Sequence, residues 1–326
     1  MKLTMLTTKR RRITPPASLA DYAGKRNRVL IVRETGGLGD ILMHRMLFHD
    51  FKRVMPDIHL GFACPAGYHS ALRDHPLLDE LLDCRKVNVG DFAVSYNTTM
   101  ECVKYEMAHA PLSGLHRSDI WAKHCGVELT RHDMDFRLSP EAVEHGRLHI
   151  ARARDQAAPH QQGGKAVLVS PITGSLNKDL TPEQIGPVIS HLRQQGLFVF
   201  AMHTTTIPGL DCPQIAAVPL DQWLGVVNAA DYVVSADTGV FHAAGGMRKP
   251  LVGVFSWADG KVYGRHFDFV LVQKHRDDGW ECGPCYNWYK CPKCPGASPT
   301  RKPCITETTS ADIIAGVDRM LKQYPV

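Results

Sequence analysis

The amino-acid sequence predicts an α/β protein of two domains in series, each built on a parallel sheet. Three observations predict it. Short apolar runs that read as buried strands alternate with stretches of helical apolar period, the pattern of parallel sheets covered by helices. The alternation stops in a polar, glycine-ended segment at 155–164 and then restarts. The length, 326 residues, fits two domains of roughly 100–200 residues.

Residues 28–33 form the first apolar run, read as a buried strand. Gly36, Gly37, Leu38, Gly39 and Asp40 follow as a loop. Residues 41–55 then set Ile41, Leu42, Met46, Leu47, Phe51, Val54 and Met55 on a helical period that Pro56 stops. Residues 59–64 give the next strand, so the chain opens with a βαβ unit. Residues 66–139 carry a weaker pattern, with a helix at 118–126. After 164, strands are expected at 166–170, 197–201, 232–235 and 251–255. Helices are expected from Pro182, capped by Thr181 and stopped before Gly196, then at 220–230 and 239–247. A last helix at 310–321 lines up Ile313, Ile314, Val317, Met320 and Leu321. The divisions expected are a basic tail (1–27), a first domain (28–154), a linker (155–164), a second domain (165–309) and a closing helix (310–326).

Composition, 44% apolar and 22% charged, is that of an ordinary globular core. No apolar run approaches the ~20 residues of a membrane helix. Residues 1–16 lack the apolar centre of a secretory signal, so a cytoplasmic location is expected. A formal charge of +5 favours anionic partners without choosing among them. The run Lys9, Arg10, Arg11, Arg12 reads as a solvated tail, or as a contact with an anionic membrane surface or DNA. Cys64, Cys84, Cys102, Cys125 and Cys212 read as core-filling thiols. The other five cysteines crowd together. The Cys-x-x-Cys pairs Cys282/Cys285 and Cys291/Cys294 match the knuckle of a structural zinc, with Cys304 as an additional candidate ligand. An iron–sulfur centre or unligated thiols are the other readings. Trp280, Tyr286, Trp288 and Tyr289, with Lys290, Lys293, Arg301 and Lys302, suit stacking on sugars or bases.

In open parallel sheets ligands bind beyond the carboxyl ends of the strands, so the loops after strands matter most. The loop Gly36–Gly37–Leu38–Gly39–Asp40 suits close approach of backbone to an anion at a helix start. It is neither a dinucleotide fingerprint nor a Walker loop, and a tight turn with Asp40 as helix cap is the plain alternative. In the loop at 170–178, Thr173, Ser175 and Lys178 suit a phosphate, or form an ordinary polar connection. At 235–242, Thr238 and Gly239 would offer N–H groups to a pyrophosphate, while Asp237 is either a site residue or a cap and His242 a site or core residue.

Taken in order, these three loops resemble the family of ADP-heptose-dependent lipopolysaccharide heptosyltransferases. The likeness starts at 29–42 (VLIVRETGGLGDIL), continues at 171–183, and is strongest at 237–250 (DTGVFHAAGGMRKP). Ser256-Trp257-Ala258 departs from the family's Gly-Pro-Thr, and Pro171-Ile172-Thr173-Gly174 from its Pro-Gly. The resemblance implies a GT-B fold, two Rossmann-like domains facing a cleft, with acceptor on the first and nucleotide-sugar donor on the second. It implies a last helix that packs back on the first domain. It implies inverting transfer without a catalytic metal. Asp40 would take the acceptor proton, while Thr173, Ser175, Lys178, Asp237, Thr238, Gly239 and His242 would bind the donor. The acceptor is then a lipopolysaccharide core sugar. A hydroxymethylated DNA base, as in phage glycosyltransferases, is the alternative, and a non-catalytic nucleic-acid-binding zinc protein on the same scaffold is a further one. Asp133-Met134-Asp135 looks like the Asp-x-Asp metal motif of the other glycosyltransferase fold, but it precedes the linker and reads as a solvated acidic stretch.

Overall fold

Residues 28–274, 284–286 and 303–326 are described by a computed structural model of the chain. The first domain grows from its two apolar runs. β1 (Arg28–Val32) and β2 (His59–Cys64) are buried except at their first residues, as strands of a parallel sheet covered on both faces must be. α1 (Leu38–Val54) joins them and turns Ile41, Leu42, Met46, Leu47, Phe48 and Phe51 into the core. β3 (Glu80–Asp83) and β4 (Val94–Asn97) complete a four-stranded sheet in the order β3-β2-β1-β4, parallel at every pairing. α2 (Glu101–His109) and α3 (Arg117–His124) follow β4 and pack on each other, and α3 also packs on α1.

The chain then crosses to the second domain. Arg45 fixes the crossing segment: its guanidinium donates to both oxygens of Asp74 at 2.6 and 3.1 Å and to the carbonyls of Met134 and Asp135 at 2.5 and 2.9 Å. Asp133 pairs with Arg248 at 3.0 Å, and Asp135 with Arg131, so the Asp-x-Asp pair is taken up in separate ion pairs. α4 (Pro140–Asp155) starts on a Ser139 cap. The segment expected as a linker holds a short 3-10 turn at Pro159–Gln161, and Arg154 donates to the carbonyls of Gln162, Gly163 and Gly164.

The second domain contains β5 (Ala166–Ser170), α5 (Pro182–Gln194), β6 (Phe198–His203), β7 (Gln214–Ala216), α6 (Leu220–Ala229), β8 (Tyr232–Ala236), α7 (Gly239–Gly246), β9 (Leu251–Phe255), α8 (Gly260–Tyr263), β10 (Val270–Gln273), α9 (Pro303–Thr306) and α10 (Ser310–Gln323). Its six strands lie in the order β10-β9-β8-β5-β6-β7, again parallel. α5 begins on a capping box in which Thr181 and Gln184 satisfy each other's backbone N–H. One apolar cluster runs from Ile31 and Phe48 through to Leu224, Phe241 and Phe255, so the two domains share a core.

The closing helix departs from expectation. α10 packs on α5, β9 and β10 of its own domain, not back on the first. Its stripe of Ile313, Val317 and Met320 is fully buried with Val252, Val272 and Ile305. Ser310 Oγ reinforces this by donating to the carbonyl of Gln184 at 2.8 Å. Among the described residues no helix is long and apolar enough to cross a membrane.

α4 and α6 touch backbone to backbone. A Cβ on Gly146 would strike the carbonyl of Gly225, and one on Gly225 the carbonyl of Ala142. Gly186, inside α5, has nothing within 4 Å of its Cβ position. Gly225→Ala should therefore destabilise by about 1–3 kcal/mol through overpacking. Gly186→Ala should stabilise by roughly 0.5–1 kcal/mol through helix propensity. Urea unfolding of the two variants checks the opposite signs, and equal effects would contradict the α4–α6 contact.

Candidate active site

Register brings the loops of interest to one edge of each sheet. Val32 pairs with Asn97, so the segments after β1 and β4 emerge together. Ser170 pairs with Ser235 and Ala236 with Val254, which gathers the loops after β5, β8 and β9.

α1 starts at Leu38 with Gly37 as its cap residue, earlier than its apolar period suggests. Asp40 thus lies in the first turn and makes no cap bond. Gly36 sits at φ +130°, and a Cβ there would come within 2.8 Å of both the Arg33 and Asp40 side chains, so only glycine serves. Gly39 faces the His242 ring at 2.5 Å from its Cβ position, and Gly239 faces Leu38 at 2.9 Å. These two glycines let α1 and α7 meet across the domain junction. Gly37 alone of the loop glycines faces open space, with nothing within 4 Å.

Asp40 is nearly enclosed. Its Oδ1 accepts from Arg117 Nη1 at 2.7 Å and its Oδ2 from Arg33 Nη2 at 3.0 Å. Burial opposes the charge, but Arg117 and then Arg33 hold the carboxyl down at about 2. Arg33 Nη1 is anchored on the carbonyls of Thr98 and Thr99 at 3.0 and 2.9 Å. Arg117 grips the buried Glu106 with a fork of 2.8 and 3.0 Å, the bidentate geometry that suits a guanidinium. Glu106 also accepts from the Tyr263 hydroxyl, 2.9 Å away in the second domain, and Arg117 lies 4.7 Å over that ring. His44 Nδ1 donates to the Asp40 carbonyl at 2.7 Å while its ring stacks on Trp121 at 3.8 Å. Sequence reasoning missed Arg33, Glu106, Arg117 and Tyr263. The one local signal was a charge, Arg33, directly at the end of a strand that is apolar after its first residue.

The facing cluster comes from the second domain. Lys178 Nζ stands 3.3 Å from Asp237 Oδ2, and His242 Nε2 stands 3.7 Å from Asp237 Oδ1. Burial works against the Asp237 charge, yet Lys178 first and His242 next hold its carboxyl well below the usual range, and the Arg117 charge adds to them from the first domain. The Lys178 ammonium lies 5.6 Å from the Trp257 ring centroid. Thr238 is the cap of α7, its hydroxyl accepting from the Val240 N–H at 3.0 Å, so Asp237 is not the cap. The Thr173 hydroxyl does not face this cluster freely. The Thr173 hydroxyl accepts from the Ser175 N–H at 2.8 Å and donates to the Ser175 carbonyl at 3.0 Å, because the loop closes on itself there.

Cys282, Cys291, Cys294, Trp280, Trp288, Tyr289, Lys290, Lys293, Arg301 and Lys302 lie outside the described residues, as does the basic run Lys9–Arg12. Cys285 is buried, and its neighbour Tyr286 donates its N–H to the Trp257 carbonyl at 3.0 Å and its hydroxyl to the Ser113 carbonyl at 3.3 Å. This edge of the cysteine cluster is therefore tied to the loop that carries Trp257.

No protein-family model matches the chain, and no curated protein matches it in sequence. Solved structures do match. ADP-heptose LPS heptosyltransferase II of Escherichia coli superposes with a TM-score of 0.63 at 12% identity, over 92% of this chain and 100% of that one. The glycosyl transferase family 9 protein of Veillonella parvula gives 0.64 at 12% identity, over 91% and 97%. The dodecameric iron-containing heptosyltransferase TibC, in complex with ADP-D-β-D-heptose, gives 0.63 at 13% identity, over 92% and 77%. The chain has the heptosyltransferase fold. What they share with it is the fold, seen in this chain as two Rossmann-like domains with parallel sheets.

Two buried imidazoles near the site give the chain a pH dependence. Burial, then Arg33, pushes His44 down to about 3, and burial with Arg45 and Arg131 does the same to His75. Unfolded, each takes its proton near 6.5. Their stabilising contribution is full above that value and is lost as pH falls toward 3, at up to roughly 1.4 kcal/mol per pH unit for each group. Urea midpoints should fall between about pH 7.5 and 5, and the double change His44→Gln, His75→Gln should flatten the fall. Equal midpoints for the unaltered chain at both values would contradict it.

Proposed function

We propose that the chain is an inverting glycosyltransferase that moves a sugar from an ADP-heptose-like donor to a hydroxyl, with a lipopolysaccharide core sugar as acceptor. One observation carries the reading: a carboxylate at the end of the first sheet, Asp40, meets a cation and helix start at the end of the second, Lys178 with Thr238 and Gly239, through the α1–α7 contact. Two of the matched structures, an ADP-heptose LPS heptosyltransferase and a heptosyltransferase in complex with ADP-D-β-D-heptose, support the donor class.

In this reading the acceptor oxygen forms its bond to the anomeric carbon as the bond to the diphosphate breaks. The diphosphate takes the electron pair and leaves toward Lys178 and the first-turn N–H groups of α7, which stabilise its charge. The acceptor proton passes to Asp40. A carboxyl held at about 2 is a weak base, but an attacking hydroxyl becomes strongly acidic as it bonds to carbon, so a late proton transfer suffices. The two arginines keep Asp40 ionised and aimed. Asp237 holds Lys178 in place until the donor arrives.

The cysteine cluster belongs to the reading as a structural metal centre. Zinc is the ion that two Cys-x-x-Cys pairs suit, and the matched TibC is iron-containing. Of the cluster, Cys285 and Cys304 are described, and the burial of Cys285 suits a shielded structural site. Purified chain should carry about one such ion, and elemental analysis that finds none would remove this part.

Asp40→Asn should lower turnover by at least ~10² while leaving ADP affinity near that of the unaltered chain. It should also lower the melting temperature, because Arg33 and Arg117 lose a charged partner. Lys178→Ala should weaken ADP binding by roughly 10-fold or more, the scale of a lost charge-assisted hydrogen bond. Steady-state transfer assays and calorimetry check both. Turnover retained in Asp40→Asn would remove the base, and ADP affinity retained in Lys178→Ala would move the phosphate site.

A further inference from the structure

Three histidines and an aspartate that the reaction does not use gather where the domains meet. His116 caps α3 in the first domain and Asp119 lies in that helix's first turn. His132 comes from the crossing segment, and His266 follows α8 in the second domain. One ring nitrogen each of His116 and His266 and one Asp119 oxygen lie within 4.8 Å of one another. His132 Nε2 stands 2.8 Å from Asp119 Oδ1, and the His132 ring stacks on His266 at 3.4 Å. His266 Nε2 is buried with no hydrogen-bond partner, and Asp119 Oδ2, which it faces, is 3.9 Å away. That is too far for a hydrogen bond. An ordinary His–Asp pair accounts for His132 but leaves the His266 nitrogen orphaned.

We propose that His116, Asp119 and His266 bind one divalent transition-metal ion of the zinc class, which staples the two domains together. Two imidazoles and a carboxylate are a usual donor set for such an ion. Metal–nitrogen and metal–oxygen bonds of about 2.0–2.2 Å put tetrahedral ligand atoms about 3.4 Å apart. The 3.9 Å gap between His266 and Asp119 therefore needs only a small closure. His116 Nδ1 is 2.7 Å from Ser118 Oγ, and its Nε2 makes the longer contact, 3.2 Å, to the Tyr263 carbonyl. As the cap of α3, Nδ1 accepts from the Ser118 N–H at 3.2 Å and Nε2 donates to Tyr263. The ion takes Nε2 in place of the Tyr263 carbonyl. The ring proton moves to Nδ1, which gives up the Ser118 N–H and donates to Ser118 Oγ instead. His132 supports the ligating carboxylate from outside, the role of an outer-shell partner. A cavity of about 510 Å³ lined by His132, His266, Asp133 and Arg248 opens beside the cluster on its His132–His266 side.

The test uses full-length, tag-free protein and Co²⁺, whose spectrum separates ligand types. Thiolate-bound cobalt carries intense near-ultraviolet charge-transfer bands, and nitrogen- and oxygen-bound cobalt shows only weak d–d bands. The unaltered chain should bind one cobalt with the weak spectrum, in addition to any thiolate-bound ion at the cysteine cluster. His266→Ala and Asp119→Asn should each lose that equivalent, or bind it at least tenfold more weakly. His145→Ala, an exposed histidine elsewhere, should keep it. Zinc should raise the melting temperature of the unaltered chain more than that of either ligand variant, and circular dichroism confirms that the variants are folded. If either variant proves unfolded, the cobalt count on the unaltered chain decides alone. Cobalt bound only with the thiolate spectrum, or an equivalent that survives both substitutions, would overturn the proposal.

Discussion

The arrangement of the domain junction depends on one buried guanidinium. Arg117 is shared between Asp40 on α1 and Glu106 on α2, and it lies over Tyr263 of the second domain. Two carboxylates this enclosed are tolerable only because Arg117, with Arg33, balances them charge for charge. Removing such a partner from a buried pair typically costs about 3–5 kcal/mol, because an uncompensated charge is left behind. The network therefore fixes where α1, α2 and α3 stand relative to one another. It also fixes the direction in which Asp40 points.

The second constraint is steric. Gly39 against His242 and Gly239 against Leu38 let α1 and α7 approach until the two carboxylate clusters act on one another. A glycine loop of this kind is easily read as a cradle for phosphate. Here Gly39 is used, with Gly239 of α7, to bring the domains into contact, Gly36 serves a backbone turn and Gly37 faces open space.

Legibility in the sequence followed burial. β1, β2, β5, β8 and β9 are enclosed on both faces and read as continuous apolar runs. β3 and β4 are four residues long and only partly buried, so they left too little pattern to register. α4 was missed because few of its residues are buried and one of those is Gly146, which buries backbone where a side chain would have shown a period. The stripe of α10 was legible but its partner was not, since Ile313, Val317 and Met320 would suit either domain. In the site, Asp40, Lys178, Asp237, Thr238 and His242 stood out because each sits in a loop after a strand or in the first turn of the helix that follows it. Arg33, Glu106, Arg117 and Tyr263 meet only through the fold, from four distant points of the chain. The Thr173 hydroxyl is taken up by the backbone of Ser175 within a tight turn, which the sequence did not reveal.

The central claim is that the α1–α7 contact sets a proton-accepting carboxylate opposite a diphosphate site. A crystal structure of the chain with ADP tests it most directly. The account predicts the diphosphate on the backbone N–H groups at the start of α7, Lys178 turned from Asp237 to a phosphate oxygen, and Asp40 facing the β-phosphate across the cleft. A diphosphate bound elsewhere, with the Lys178–Asp237 pair intact, would contradict it.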